Sequence, residues 1–447
     1  MTGFTIGDAV KACNGAYRGT NSLSTPLGRV IIDSREIQSG DLFVAYRGER
    51  VDGHDYISAA LDRGAACCLA ERVPEGEERG VIVTENVQRA LEQIAAAYRT
   101  TLSLPIVGIT GSVGKTSAKE MISAVLSSRW NILKTDKNLN NQIGVPMTLS
   151  RIEKDHEAAV IEMGISGFGE MTELAKMVRP TIGVFTLIGH AHLEFLHDLD
   201  GVLRAKTEML DYIPKDGVVI LNGDDEKLRS VHCSQKKLSF GFGENCDVRA
   251  EHLELSADET RCDIVCKDRC MHVIIPAFGR HLVYAALEGA AVGITMGLTD
   301  EEIIRGIAGF RTVGRRAAVV RTDKLTLLDD CYNSNPDALK SGIDSLMELP
   351  GRHVCILGDM LELGPEAPAM HSESARYAAQ RGVDRVLCCG AMARFTCSGA
   401  GQIARAFPDR AALIAALGEE IRPGDCVLVK ASHSAHFEEI SEALKAF

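Results

Sequence analysis

The apolar positions of this chain change their spacing twice, and each change predicts a different arrangement of elements. Through the first hundred residues, short apolar runs are interrupted by glycine. Residues 30–48, VIIDSREIQSGDLFVAYRG, carry two strand-like runs separated by a polar turn at Gln38, Ser39 and Gly40. The run ISAALDRGAACCLAE predicts a helix closed near Gly64 and then a strand. Residues 86–100 have helical spacing, and Leu104-Pro105 marks a boundary because a residue before proline avoids the helical region.

From Ile106 the pattern becomes apolar strands alternating with amphipathic helices. PIVGIT, AAVIEM, TIGVFTLI and GVVILN predict strands, with helices in KTSAKEMISAVLSS and GVLRAKTEMLDYI. Such alternation implies a parallel sheet with helices on its faces. Short strands follow around residues 237–276, then two helical segments to about Phe310. After Gly314 a second series begins, with KLTLLDD, RHVCILG, DRVLCCG and DCVLVK as its strands. The expected fold is therefore α/β in three domains, covering residues 1–100, 101–311 and 312–447. No GxGxxG follows any strand of the last series, so a dinucleotide site is not indicated, although its alternation is Rossmann-like.

A length of 447 residues agrees with several domains rather than one core. No apolar run reaches the ~18 residues of a membrane span. The first residues, MTGFTIGDAVKACNGAYRG, lack a basic stretch followed by an apolar region, so a cytoplasmic location is expected. A net charge of -12 without a long basic run argues against nucleic acid as a partner. Small anions need only local donors and stay open. Fourteen cysteines in a long cytosolic chain read as reduced thiols. Cys262, Cys266 and Cys270 recur every four residues beside His272, a spacing that invites a metal. Their stretch, TRCDIVCKDRCMHVIIP, reads instead as a hairpin around a KDR turn, and paired CxxC knuckles are absent. The Cys67-Cys68 and Cys388-Cys389 pairs sit in apolar runs and are expected to pack in cores.

The strongest local signal is GITGSVGKTS, residues 108–117. A strand precedes it and helical spacing follows, so Thr110, Gly111, Ser112, Val113 and Gly114 form a turn whose N–H groups cradle phosphate. Lys115 would neutralise the outer phosphates and the Thr116 hydroxyl would reach Mg²⁺, with Ser117 next on the helix. A P-loop does not identify the reaction. Glu162 ends the apolar strand of VIEMG, where a carboxylate can hold Mg²⁺, although an ordinary strand-end glutamate competes with that reading. His190 and His192 follow the next strand, and either could be a satisfied loop histidine. Asn140 and Asn141 lie in KNLNNQIG, suited either to a neutral substrate contact or to a capped turn.

TGSVGKTS, KNLNNQIGVPMTL, IEMG, HAHLEFL with Lys206 downstream, VGRR, DDCYNSNP and GDMLELG occur here in an order that resembles the Mur ligases. The likeness spans nearly the whole chain and is greatest to the type that joins D-Ala-D-Ala to UDP-MurNAc-tripeptide. It implies an N-terminal module for the UDP-sugar substrate, a central P-loop ATPase domain and a C-terminal α/β domain closing over the ligands. It also implies ATP, Mg²⁺ and an acyl-phosphate intermediate. His192 would ligate a second Mg²⁺, and Lys206 stands where the family carries a carbamylated lysine. Without the likeness, Lys206 would read as a solvated helical lysine. Arg315 would reach the nucleotide phosphates, and Asp330 would accept from the ribose. Ser34, Arg35, Asp52, Gly53 and His54 fall in the N-terminal stretch and would bind substrate, together with Tyr332, Asn333 and Asn335. The last three could equally form a turn before the helix opened by Pro336. A monomer is expected.

Two stretches depart from the family's pattern. Leu282 and Ala285 replace asparagines, the first of which the family associates with adenine. Ala431 and His433 replace the Gly and Arg of KGSR, which exchanges a permanent cation for a largely neutral group. The alternatives are a ligase of the same class with another amine, including a folylpolyglutamate synthetase-like enzyme, or a paralogue that binds nucleotide without turnover.

Overall fold

Three β-sheets organise the chain, and each gathers strands from one continuous part of it. A computed structural model describes residues 1–48, 51–256, 258–315 and 318–446. The first sheet has five strands and is parallel except where Ala16–Gly19 runs against Gly80–Val83. Its helix Val87–Thr100 begins where the Asn86 side chain accepts the Arg89 N–H. Val87, Ala90, Leu91, Ile94, Ala95 and Tyr98 recur at helical spacing and are buried.

The second sheet has nine strands. Ile106–Thr110 lies third from one edge, between Ala158–Glu162 and Ile182–Phe185, all parallel. These strands are buried along their whole length, because helices cover both faces and leave no polar side to alternate with. The sheet continues through Val218–Asn222 and Lys236–Gly241 to the antiparallel strands Val248–Leu255, Thr260–Cys266 and Arg269–Ile275. The third sheet has six strands and is parallel apart from Ala318–Arg321. The structure is thus the three-domain α/β arrangement that the pattern implies.

Some elements differ from the sequence reading. The strand of TIGVFTLI stops at Phe185, and the helix of GVLRAKTEMLDYI passes into a tighter 3₁₀ turn at Glu208. Ile132–Lys134 and Ala404–Phe407 are strands too short and mixed to have been legible. TRCDIVCKDRCMHVIIP is a hairpin, and its pleat points Cys262 and Cys266 inward and Cys270 outward. The three cysteines therefore do not converge on one metal, whatever their spacing.

The first two parts are fastened by hydrogen bonds at one seam. The Tyr98 hydroxyl donates to the Ile152 carbonyl at 2.5 Å and accepts the Thr2 N–H at 3.0 Å. Val30 N–H donates to Ser150 Oγ, and the Arg99 guanidinium donates to the Val178 and Arg179 carbonyls. Tyr98→Phe keeps the ring but leaves two backbone groups unpaired. It should cost about 1–3 kcal/mol in denaturant unfolding; a loss near zero would show that this seam carries no stability.

Candidate active site

The phosphate loop lies where the strand Ile106–Thr110 turns into the helix Lys115–Leu126. Two glycines are needed there for different reasons. A Cβ on Gly111 would lie 1.9 Å from Thr186 Oγ1, so only a bare backbone can approach the neighbouring strand. Gly114 caps the helix at φ +89, a conformation that side chains strain against. The loop is anchored from below: Thr110 Oγ1 donates to the Met163 carbonyl, Ser112 N–H to the Leu187 carbonyl, and the Thr186 hydroxyl to the Val113 carbonyl. Lys115 folds back so that its ammonium donates to Gly111 O at 2.7 Å. Thr116 and Ser117 line a narrow cleft with Glu120, Leu282, Phe310, Thr312 and Val313. Leu282 thus borders the phosphate helix, while Ala285 is buried in the core behind it.

Glu162 is 2% exposed at the end of its strand. Its carboxylate accepts from Thr116 Oγ1 at 3.0 Å and from Asn140 Nδ2 at 2.8 Å, and its N–H donates to Thr135 Oγ1. A buried carboxylate requires such donors. Asn140 therefore belongs to this centre. Asn141 does not: its Oδ1 accepts from the Ile143 and Gly144 N–H groups and holds a turn.

Lys206 is 1% exposed. Burial is the main cause pushing its pKa far down, with Lys115 adding to the fall and Glu170 opposing it. Burial thus favours the neutral amine, the form that carbamylation requires. A solvated helical lysine is excluded by this burial.

The third sheet reaches this edge with two carboxylates that sequence reasoning missed. Asp337 accepts the His190 N–H at 2.6 Å and pairs with its Nδ1 at 3.0 Å. Asp337 comes close because Gly189 has no side chain; a Cβ there would lie 2.5 Å from its Oδ2. Glu362 pairs with His192 Nδ1, and the Glu194 N–H donates to its carbonyl. Glu362 belongs to GDMLELG, so the motif was visible but its role was not. A carboxylate on Nδ1 leaves Nε2 of His192 as the nitrogen able to ligate a metal, a common arrangement around metal-bound histidines.

The remaining candidates are placed as follows. Asp330 pairs with Lys430, a nearly buried lysine that also donates to the Asn333 carbonyl. Tyr332 stacks beside His433 with ring centroids 5.2 Å apart. Asn335 caps the helix Pro336–Met347 by accepting the Ala338 N–H, and Asn333 Oδ1 accepts the Ser334 N–H. Arg315 donates to Glu442 and to the Glu438 carbonyl on the last helix rather than to the phosphate loop. Its neighbour Arg316 in the same motif lies outside the described residues. In the first domain, Arg35 grips Asp33, and that hydrogen bond holds the Asp33 carboxyl down at about 2. Ser34 begins the same 3₁₀ turn. Asp52 accepts from the His54 N–H and ring Nδ1, while His54 Nε2 accepts the Glu71 N–H. Both nitrogens of the buried His54 are therefore used internally. Gly53 is required by the Tyr46 backbone, which a Cβ would meet at 2.7 Å.

Together these groups define an ATP-type phosphate site at a sheet's C-terminal edge, faced by a second α/β domain. Residues 27–105 match the Mur ligase family, catalytic domain; 109–293 match the Mur ligase middle domain; 315–433 match the Mur ligase, glutamate ligase domain. The chain belongs to the Mur ligase family. It is 35% identical to the UDP-N-acetylmuramoyl-tripeptide–D-alanyl-D-alanine ligase of Escherichia coli K12, covering 100% of this chain and 99% of that one. The ligase of the same name from Bacillus subtilis 168 is 32% identical, covering 98% of each chain. Among solved structures, MurF from Acinetobacter baumannii superposes with a TM-score of 0.91 at 29% identity, covering 99% of both chains. MurF ligase from Thermotoga maritima in complex with ADP gives 0.84 at 27% identity, covering 94% of this chain and 97% of that one.

The His190–Asp337 contact has a defined pH window. The Asp337 hydrogen bond raises the His190 pKa, against burial that lowers it. Burial pushes Asp337 up, but the His190 hydrogen bonds outweigh it and leave the carboxyl lowered. The imidazole contribution is complete below its ordinary value of 6.5 and is lost as pH rises through the raised value. The carboxyl contribution is present above 3.8 and is lost as pH falls. A double-mutant cycle of His190→Ala and Asp337→Asn should give a larger coupling energy at about pH 5.5 than at about pH 8.5. Equal coupling at both would show that the pair is not ionic.

Proposed function

We propose that this chain joins D-Ala-D-Ala to UDP-MurNAc-tripeptide, converting ATP to ADP and phosphate during peptidoglycan precursor synthesis. The observation that carries the reading is the intact phosphate centre, Lys115 with buried Thr116 and Glu162 and half-buried Asn140, in a chain similar along its whole length to ligases of that name. The ADP complex of the Thermotoga maritima relative supports ATP as the nucleotide.

The difficulty of the reaction is electrostatic, because a carboxylate must meet a triphosphate. Loop N–H groups, the helix N-terminus and Lys115 offset that repulsion. The tripeptide's terminal carboxylate oxygen attacks the γ-phosphorus, and the β–γ P–O bond breaks to release ADP. The dipeptide amine then attacks the acyl carbon, forming C–N. Phosphate leaves with one former carboxylate oxygen, and the amine gives up a proton.

Thr116 and Glu162 are hard oxygen donors that suit Mg²⁺, and His192 Nε2 with a carbamylated Lys206 would suit a second ion. Bound there, such ions would supply charge neutralisation at the phosphates. A free ammonium at Lys206 would oppose them, whereas the neutral amine can take up CO₂ and become an anion.

The reading assigns residues 1–100 to the UDP-sugar precursor, 101–311 to ATP and 312–447 to closure over the ligands. It places the reaction on a cytoplasmic monomer without nucleic acid or membrane. No helix among the described residues is long and apolar enough to cross a membrane. The base side rests on apolar contact, since Leu282 lines the cleft beside Thr116. On this reading His433, which lies beside Tyr332, would face the dipeptide.

Phosphate release should require both UDP-MurNAc-tripeptide and D-Ala-D-Ala and should accompany the pentapeptide mass. Lys115→Ala should lower kcat by roughly 10²–10³-fold. Release with another amine but not the dipeptide would keep the chemistry and change the substrate. Silence with every acceptor despite ATP binding would favour a paralogue without turnover. Lys206→Arg, a permanent cation, should lose activity as fully as Lys206→Ala; an active arginine variant would remove carbamylation from the mechanism.

A further inference from the structure

The outer edge of the central sheet gathers a second set of metal-binding groups that the ligase chemistry does not use. Strand alternation puts Cys270 and His272 on the same outward face of Arg269–Ile275. The register sets Asp263 directly opposite His272. On the next strand, Glu251 is opposite Asp263, after which the pairing slips between Glu251 and Glu254. His252 lies in that irregularity at φ +50, and the bulge turns its ring onto Asp263.

One carboxylate is thereby held between two imidazoles. His272 Nδ1 lies 2.5 Å from Asp263 Oδ1, and His252 Nδ1 lies 2.8 Å from Asp263 Oδ2. The ligand atoms of Asp263, Cys270 and His272 all fall within 4.8 Å of one another. The carboxylate of Glu251 adds negative charge nearby and is held by Arg249 at 2.7 Å. Both imidazoles and Cys270 are exposed, so they can move without disturbing the core.

We propose that Asp263, Cys270 and His272 form a binding site for Zn²⁺, with His252 holding the second carboxylate oxygen. Oxygen, nitrogen and sulfur donors together suit a borderline ion rather than Mg²⁺. Ligands of a tetrahedral zinc lie roughly 3.3–3.8 Å apart, so the His272–Asp263 pair, now 2.5 Å apart, opens to admit the ion, while the ligand atoms already lie within 4.8 Å of one another. Three protein ligands leave the fourth place to water. The site differs from the one the cysteine spacing suggested, since Cys262 and Cys266 face the core and take no part. Binding would pin the edge hairpin to the neighbouring strand through His252.

The test uses the reduced full-length chain titrated with Co²⁺ alone and then Zn²⁺. The wild type should show a thiolate-to-cobalt charge-transfer band with the intense visible bands of a four-coordinate ion, and Zn²⁺ should displace both. Cys270 is the one exposed cysteine of the fourteen, so Cys270→Ser should abolish the charge-transfer band. His272→Ala should abolish the four-coordinate bands, and His252→Ala should weaken affinity by about 10–100-fold, as loss of an outer hydrogen bond does. Unchanged circular dichroism in the variants shows that loss of binding is not loss of fold. A wild type without the charge-transfer band, or a band that survives in Cys270→Ser or His272→Ala, overturns the proposal.

Discussion

A carboxylate excluded from water must be met by hydrogen-bond donors, and much of the central domain is arranged around meeting that requirement at Glu162. Its carboxylate takes donors from two separate segments, Thr116 on the phosphate helix and Asn140 in the preceding loop, while its backbone N–H donates to Thr135 after a short edge strand. Each partner fixes its own segment in turn. The phosphate loop is consequently built from both sides, with Gly111 pressed against Thr186 and the Thr116 hydroxyl drawn to Glu162. The loop backbone is thereby fixed before a triphosphate arrives, the condition under which fixed donors act most strongly on developing charge, and it is Lys115, donating to Gly111 O, that has to turn toward the phosphates. Lys206 obeys the same rule in reverse. Burial and the neighbouring Lys115 both favour its neutral form.

The last part meets the histidines of this edge through carboxylates, and elsewhere Phe278 and Leu255 pack into its apolar core. Asp337 takes His190 and Glu362 takes His192, two histidines that follow one strand of the central domain. Contacts of this kind are directional and modest in energy, which suits an interface that must open for substrates and close around a labile acyl phosphate. The seam between the first two parts is of another kind. There Tyr98 is wholly buried and its hydroxyl is satisfied from both sides, so that junction is built to stay closed.

The phosphate loop, the central strands and Glu162 were legible because their causes are local: glycine at a strand-to-helix turn, unbroken apolar runs, a carboxylate at a strand end. The two carboxylates from the last domain were not, since Asp337 and Glu362 act on residues 147 and 170 positions away in the chain. Asn140 and Asn141 are adjacent and chemically identical, yet one binds Glu162 and the other holds a turn. Only the backbone path separates those roles. Asn335 took the bland role of a helix cap, and both nitrogens of His54 are spent within its own domain. The cysteine stretch forms the hairpin that its sequence predicts. An interval of four residues looks like a cluster in sequence, but the hairpin between the residues reverses the face on which Cys270 appears.

The most direct measurement of the chemistry is a single-turnover reaction with heavy oxygen in the terminal carboxylate of UDP-MurNAc-tripeptide. Attack of that carboxylate on the γ-phosphorus forces one of its oxygens to leave with phosphate when the amine arrives. One labelled oxygen in each phosphate released, matched to the amide formed, is the expected result. Phosphate free of label, with the amide formed nonetheless, would contradict activation of the carboxylate at the phosphate loop.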